Sequence, residues 1–173
     1  MKKISINSNF LVYDSIDDLP NQAVKLFQSA KKIRKTAYSK YSNFSVGVSV
    51  LMDNGEVISG TNQENAAYPS GMCAERTALF YANSKYPNSN IICLAIVAGS
   101  NSKINKIPIA PCGGCRQVIS ELETKQGSSI AMYFMGEEGK VVFTESIENL
   151  LPFQDQYDSR SFLALASNFL KCL

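Results

Sequence analysis

Histidine is absent from all 173 residues. That removes the commonest general base, and a frequent metal ligand, from whatever chemistry the chain performs. Charge of one sign is also scarce: 17 Lys and Arg face 15 Asp and Glu, a net of +2. So small an excess gives no global pull on nucleic acid, whose binders present a clustered basic face. The one basic run, KKIRK at Lys31–Lys35, reads as a solvated helix face before it reads as a phosphate patch. Long apolar runs are missing too, and none nears the ~18 residues that a membrane span needs. The start, MKKISINSNF, has two lysines but no apolar stretch behind them, so no secretory signal is expected. A cytoplasmic setting is expected, where cysteines stay reduced.

No repeat, low-complexity tract or Pro/Gly/Ser linker interrupts the chain. A single domain over 1–173 is expected, with a core at about 20–153 and a segment extending it at each end. Hydrophobic residues at 45% and charged residues at 18% suit an ordinary globular protein. The cysteines are poorly arranged for disulfides. The five, Cys73, Cys93, Cys112, Cys115 and Cys172, are odd in number. In a reducing compartment a C-x-x-C pair with a further polar-context cysteine points to metal or redox chemistry instead. Cys93 lies inside an apolar run and reads as core, and Cys172 as a tail residue without a role.

Periodicity places the elements. Residues 3–13 alternate weakly, as an edge strand would. Pro20 follows Asp17 and Asp18, and Ala23, Phe27, Ala30, Ile33 and Ala37 recur at helical spacing, predicting a helix over 20–37. SVGVSVLMDNGEVISGT reads as a hairpin turning at Asn54-Gly55. A helix is predicted from Cys73 to about Ser84, with Ala74, Thr77, Ala78 and Phe80 facing inward. Ile91–Gly99 is continuously apolar, as in a strand buried on both faces. Gly113–Glu123 returns to helix. SIAMYFMG and GKVVFTE give two more strands, SIENLLP a short helix, and 159–170 a mildly helical tail. Strands alternating with helices predict an α/β fold, an α-β-α sandwich, in which ligands collect where helix starts meet strand ends. Cys73 and the Cys112/Cys115 pair both fall at such junctions.

Three thiolates supply three corners of a zinc tetrahedron and leave the fourth for water. Cys112 and Cys115 are three apart, on one face of a first helical turn. Helix N-termini help to keep such thiols ionised. C-A-E at Cys73–Glu75 and P-C-G-G-C at Pro111–Cys115 together resemble the signature of zinc-dependent base deaminases. Without histidine only the three-cysteine version is available, which excludes the H-x-E subgroup of polynucleotide editors and deoxycytidylate deaminases. The chemistry needs no imidazole: zinc acidifies water, and Glu75 carries protons from it to the ring nitrogen and then to departing ammonia. Three thiolates outweigh the charge of zinc, so Arg76, about one turn beyond Cys73, can temper the site by donating to sulfur.

Beyond this core the sequence resembles the homotetrameric cytidine deaminases. The resemblance runs through AYSKYSNFSVG (Ala37–Gly47), NQENAAYPSGMCAERTA (Asn62–Ala78), PCGGCRQV (Pro111–Val118) and ENLLP (Glu148–Pro152). It implies a three-layer sandwich around a mixed five-stranded sheet, one zinc per chain on Cys73, Cys112 and Cys115, and Glu75 as the catalytic residue. It implies that Asn62 and Glu64 hold a ribose hydroxyl, that Phe44 packs on the pyrimidine ring, and that the Ala74 amide contacts the base. Arg76 keeps its tempering role, and the assembly would be a homotetramer acting on cytidine and deoxycytidine in pyrimidine salvage. Family members commonly carry an aromatic about three residues after LLP that reaches a neighbouring site; here Phe153 follows Pro152 directly and is a weak substitute. Three other readings compete: deamination of a cytosine nucleoside analogue such as blasticidin S, a non-catalytic zinc-stabilised module, and RNA editing. The open fourth position disfavours the module, and the missing histidine motif disfavours editing.

Overall fold

Nine principal elements follow one another along residues 1–154, which are the residues described by this computed structural model. They are β1 (Leu11–Tyr13), α1 (Asn21–Arg34), β2 (Phe44–Met52), β3 (Val57–Thr61), α2 (Ala74–Lys85), β4 (Ile91–Ser100), α3 (Gly113–Gln126), β5 (Ala131–Met135) and β6 (Val141–Thr144). The tail helix read over 159–170 and Cys172 lie outside the described residues. The sheet runs β1-β6-β5-β4-β2-β3. Only β4 and β5 pair in parallel, so the sheet is mixed. It has six strands where five were expected. The sixth is β1, whose Leu11–Tyr13 pair with Val141–Phe143 and extend the sheet by a three-residue edge.

β4 shows why its sequence is apolar throughout. Leu94 and Ile96 face one side, packing with Val48, Val50 and the small residues of α2. Cys93, Ala95 and Val97 face the other, against Phe27 and Ala30 of α1. The strand is sandwiched by helices, and each large side chain so buried contributes ~1.5–3 kcal/mol. Cys93 is therefore core, as read.

α1 stops at Arg34, three residues before the predicted end. Tyr38 is drawn instead into a bridge with Gln63. Its N–H donates to Asn62 O at 3.1 Å, and its carbonyl accepts from Glu64 N at 2.9 Å. That bridge lays the 62–64 segment beside the start of β2.

α2 buries the predicted Ala74 and Ala78 but not Phe80. Ala74, Ala78 and Ala82, spaced by four, are buried together with Glu75 and Leu79. They seat the helix on Gly60, where even a Cβ would lie 2.7 Å from Ala78 N. Phe80, two residues or about 200° beyond Ala78, therefore faces outward and is 46% exposed. The predicted inward Phe80 is corrected by backbone contact at Gly60, which periodicity could not register.

Candidate active site

Cys73 and Cys112 occupy equivalent places, each immediately before the first residue of a helix, α2 and α3 respectively. Both have extended backbone there, so both sulfurs sit at the mouths of helix N-termini, whose free N–H groups favour anionic sulfur. One turn into α3, Cys115 is fully buried beneath them. Cys112 Sγ lies 3.4 Å from Cys115 Sγ and 3.8 Å from Cys73 Sγ, and all three sulfurs fall within 4.8 Å of one another. Zinc–sulfur bonds of ~2.3 Å in a tetrahedron place sulfurs about 3.8 Å apart. The donor set and its spacing therefore fit zinc. Among the described residues, no other Cys, His, Asp or Glu joins this cluster.

The electrostatics around the sulfurs are uneven. The Cys73 thiol is held down at about 5, chiefly by the Cys115 thiol beside it, then by Arg76 and Cys112, against the opposing effect of burial. Cys115 is pushed the other way by Cys73 and by its own burial. Arg76 Nη2 donates to Cys73 Sγ at 3.7 Å, and the thiolate holds the guanidinium above its ordinary value. Its buried Nε has no partner among the described residues. We expect Arg76→Gln to keep zinc but to lower kcat by about 10–100-fold, the usual loss when a group supporting a metal ligand is removed. Metal analysis beside steady-state kinetics checks this, and unchanged kcat would count against the role.

Glu75 is 6% exposed. Burial raises its carboxyl above the ordinary range, and the Cys73 charge adds to this; its own backbone N–H, Cys115 and Arg76 pull the other way. A carboxyl whose proton is held more tightly than usual suits a group that must both accept and release one. Ala74, beside it, is fully buried at the first position of α2, where the amide has no partner inside the helix.

A cavity of about 830 Å³ opens above this cluster, and Phe44, Asn62, Glu64, Cys73, Ala74, Glu75, Arg76 and Cys112 all line it. Every predicted site residue except the buried Cys115 thus faces one space. Phe153 does not line it; it is 81% exposed, with φ of 58°. Asn62 and Glu64 are already engaged. Asn62 Nδ2 donates to Phe44 O at 2.9 Å, and Asn62 Oδ1 accepts from Val46 N at 2.8 Å. Glu64 accepts from Tyr41 N at 2.8 Å and from the Ser42 hydroxyl. Each keeps spare capacity, one N–H on the amide and free lone pairs on the oxygens.

Several residues of the site were not legible beforehand. Val46, Ile96, Ala98, Ile109 and Ala110 make the apolar wall, and nothing in their local pattern distinguishes them from core. Arg116 Nε donates to Pro111 O and its Nη1 to Leu150 O, both at 2.8 Å, which fixes the turn entering Cys112. Its position next to Cys115 was the available signal.

The chain is similar to known proteins over most of its length. Residues 20–129 match the family model described as the cytidine and deoxycytidylate deaminase zinc-binding region. A cytidine deaminase of Halalkalibacterium halodurans is 37% identical over 133 residues, covering 77% of this chain and 96% of that protein. One from Sporosarcina psychrophila is 38% identical over 140 residues, covering 81% and 96%. The crystal structure of cytidine deaminase from Burkholderia pseudomallei superposes with a TM-score of 0.66 at 36% identity, covering 79% of this chain and all of that one.

Proposed function

The chain belongs to the cytidine and deoxycytidylate deaminase family, and from that premise we propose that it hydrolyses cytidine and deoxycytidine to uridine and deoxyuridine, releasing ammonia, in pyrimidine salvage. The observation that carries this reading is the meeting of three sulfurs and a buried carboxylate at the floor of one cavity. Zinc held by Cys73, Cys112 and Cys115 would supply the Lewis acidity that makes water a nucleophile near neutral pH. Glu75 takes one proton from the water that adds to C4 and delivers it to the ring nitrogen, then takes the second from the resulting C4 hydroxyl and passes it to the amine, so that the C4–N bond breaks, C4 becomes a carbonyl and ammonia leaves. Arg76 holds Cys73 and offsets the thiolate charge. Phe44 packs on the pyrimidine, the Ala74 amide contacts the base, and Asn62 and Glu64 orient the ribose hydroxyl. That pair favours a plain nucleoside over an analogue such as blasticidin S.

No helix among the described residues is long and apolar enough to cross a membrane. The family resemblance implies a homotetramer, and a single domain in a cytoplasmic setting completes the proposal. Incubating purified protein with cytidine while measuring zinc per chain tests the whole reading. Loss of cytosine absorbance with about one zinc per chain is expected; zinc without turnover would favour the non-catalytic module.

Glu64 carries a pH signature. Hydrogen bonds from the Ser42 hydroxyl and the Tyr41 amide hold its carboxyl below the ordinary carboxylate range. The side chain is therefore ionised throughout the neutral range and comes to resemble the neutral amide of glutamine only where acid protonates it. We therefore expect the KM ratio between Glu64→Gln and the parent to stay constant from about pH 8 to about pH 5 and to shrink only in stronger acid. A ratio of one at every pH would separate Glu64 from substrate binding, and a ratio that varies across the neutral range would contradict the lowered carboxyl.

A further inference from the structure

Within the run KKIRK one residue does not behave as a solvated face. Gly47 of β2 lies against α1 so closely that a Cβ there would sit 2.2 Å from Ala30 O and 2.7 Å from Arg34 Cβ. This approach carries the last residue of α1, Arg34, over the ends of β2 and β4. Its side chain is only 15% exposed. Every guanidinium nitrogen is committed: Nε donates to Ser45 O and Nη2 to Gly99 O, each at 2.8 Å, and Nη1 meets Glu137 Oε1 at 2.9 Å.

Ser45 and Gly99 face each other in the β2–β4 register, and their neighbours Phe44, Val46 and Ala98 line the cavity. The Phe44–Val46 segment is thus pinned twice, by Asn62 through Phe44 O and Val46 N, and by Arg34 through Ser45 O. Glu137 completes the device. Its Oε2 accepts from Asn105 N at 2.9 Å, and the Asn105 side chain donates to Ala98 O at 3.1 Å. An arginine fork anchored by a carboxylate loses little freedom when it binds two carbonyls, so the geometry it imposes is stiff.

We propose that Arg34, held by Glu137, is a positioning residue for substrate binding: it fixes the wall formed by Phe44, Val46 and Ala98, and so the seat of the pyrimidine and its sugar. This rests on the deaminase reading above. Arg34 hydrogen-bonds neither Glu75 nor the three sulfurs, which stand in or immediately before α2 and α3. Its loss acts on binding common to ground state and transition state, which raises KM and leaves kcat nearly unchanged.

Arg34→Met combined with Glu137→Gln removes the fork without stranding a half-buried charge. With cytidine we expect KM to rise by about tenfold or more while kcat stays within about threefold, with zinc retained. Arg34→Lys, which keeps one of the three donating positions, should fall between the parent and the double variant. Phe27→Leu, in the same layer but remote from the pins, serves as the control for lost stability alone. A double variant with unchanged KM, or a KM rise matched by Phe27→Leu, overturns the proposal. Should the double variant not fold, Arg34→Lys decides in the same terms: raised KM with kcat kept upholds it, and unchanged KM overturns it. A parent protein that binds zinc yet does not turn over cytidine would instead refute the deaminase reading.

Discussion

Replacing Glu75 by Gln should lower kcat by roughly 10²–10⁴-fold, the range that a positioned proton carrier supplies. The amide keeps the shape of the side chain but can neither take the water proton nor return it. Glu75 is not among the clustered sulfurs, so zinc per chain should match the parent. Stability gives a second readout. Glu75 is buried and its carboxyl is raised chiefly by desolvation, so its ionised form costs stability at neutral pH. The variant should accordingly melt no lower than the parent. Retained turnover would overturn the assignment of Glu75, and lost zinc would show that the substitution acted through the metal centre instead. The chain has no histidine to take over the proton transfer.

Cys115→Ala should be as damaging by a different route. Cys115 is the fully buried member of the sulfur cluster, 3.4 Å from Cys112. Removing it leaves two sulfurs, one exposed and one half-buried, too few for a closed structural or open catalytic zinc site. Zinc should fall from about one per chain to a small fraction, and turnover with it. A metal that binds only the folded chain contributes about 2.7 kcal/mol at a hundredfold excess over Kd. The variant should therefore also melt earlier, and stripping the parent with a chelator should reproduce the shift until zinc is restored. Cys93→Ala is the matched control. Cys93 is equally a buried cysteine, but it packs on the α1 side of the sheet, and its loss should leave zinc and kcat unchanged. Full zinc in Cys115→Ala would refute the three-sulfur site.

Much of the architecture was readable because its signals are local. The Asn54-Gly55 turn fixed the β2–β3 hairpin, and Gly55 does adopt a positive φ, 85°. The unbroken apolar run of β4 identified a strand covered on both faces. Where reading failed, distant backbone had decided. Phe80 faces outward because α2 is seated on Gly60. α1 ends early because Tyr38 is bridged to Gln63. The edge strand read over 3–13 does form, but only at Leu11–Tyr13, where it meets the free edge of β6. Arg34, inside a run of lysines, looked like surface and became a half-buried fork with every nitrogen paired.

What the sequence determined by itself is the chemistry. The absence of histidine, the spacing C-x-E and P-C-x-x-C, and the polar N-x-E fixed the available donors and the proton carrier. Those are properties of residue type and of short spacing within a helical turn. What only the tertiary structure decided is the assembly of those groups into one place. Cys73 and Cys112 are 39 residues apart, and nothing in either motif specifies their separation in space. The packing of α2 and α3 on one face of the sheet does so, aiming two helix N-termini at a common point. The wall above that point was likewise a tertiary decision, since Phe44, Val46 and Ala98 become a binding surface only where Asn62 and Arg34 pin the strand ends. Local pattern selects the groups because bonding capacity belongs to each side chain. Geometry comes from long-range packing because distances between elements belong to no single segment.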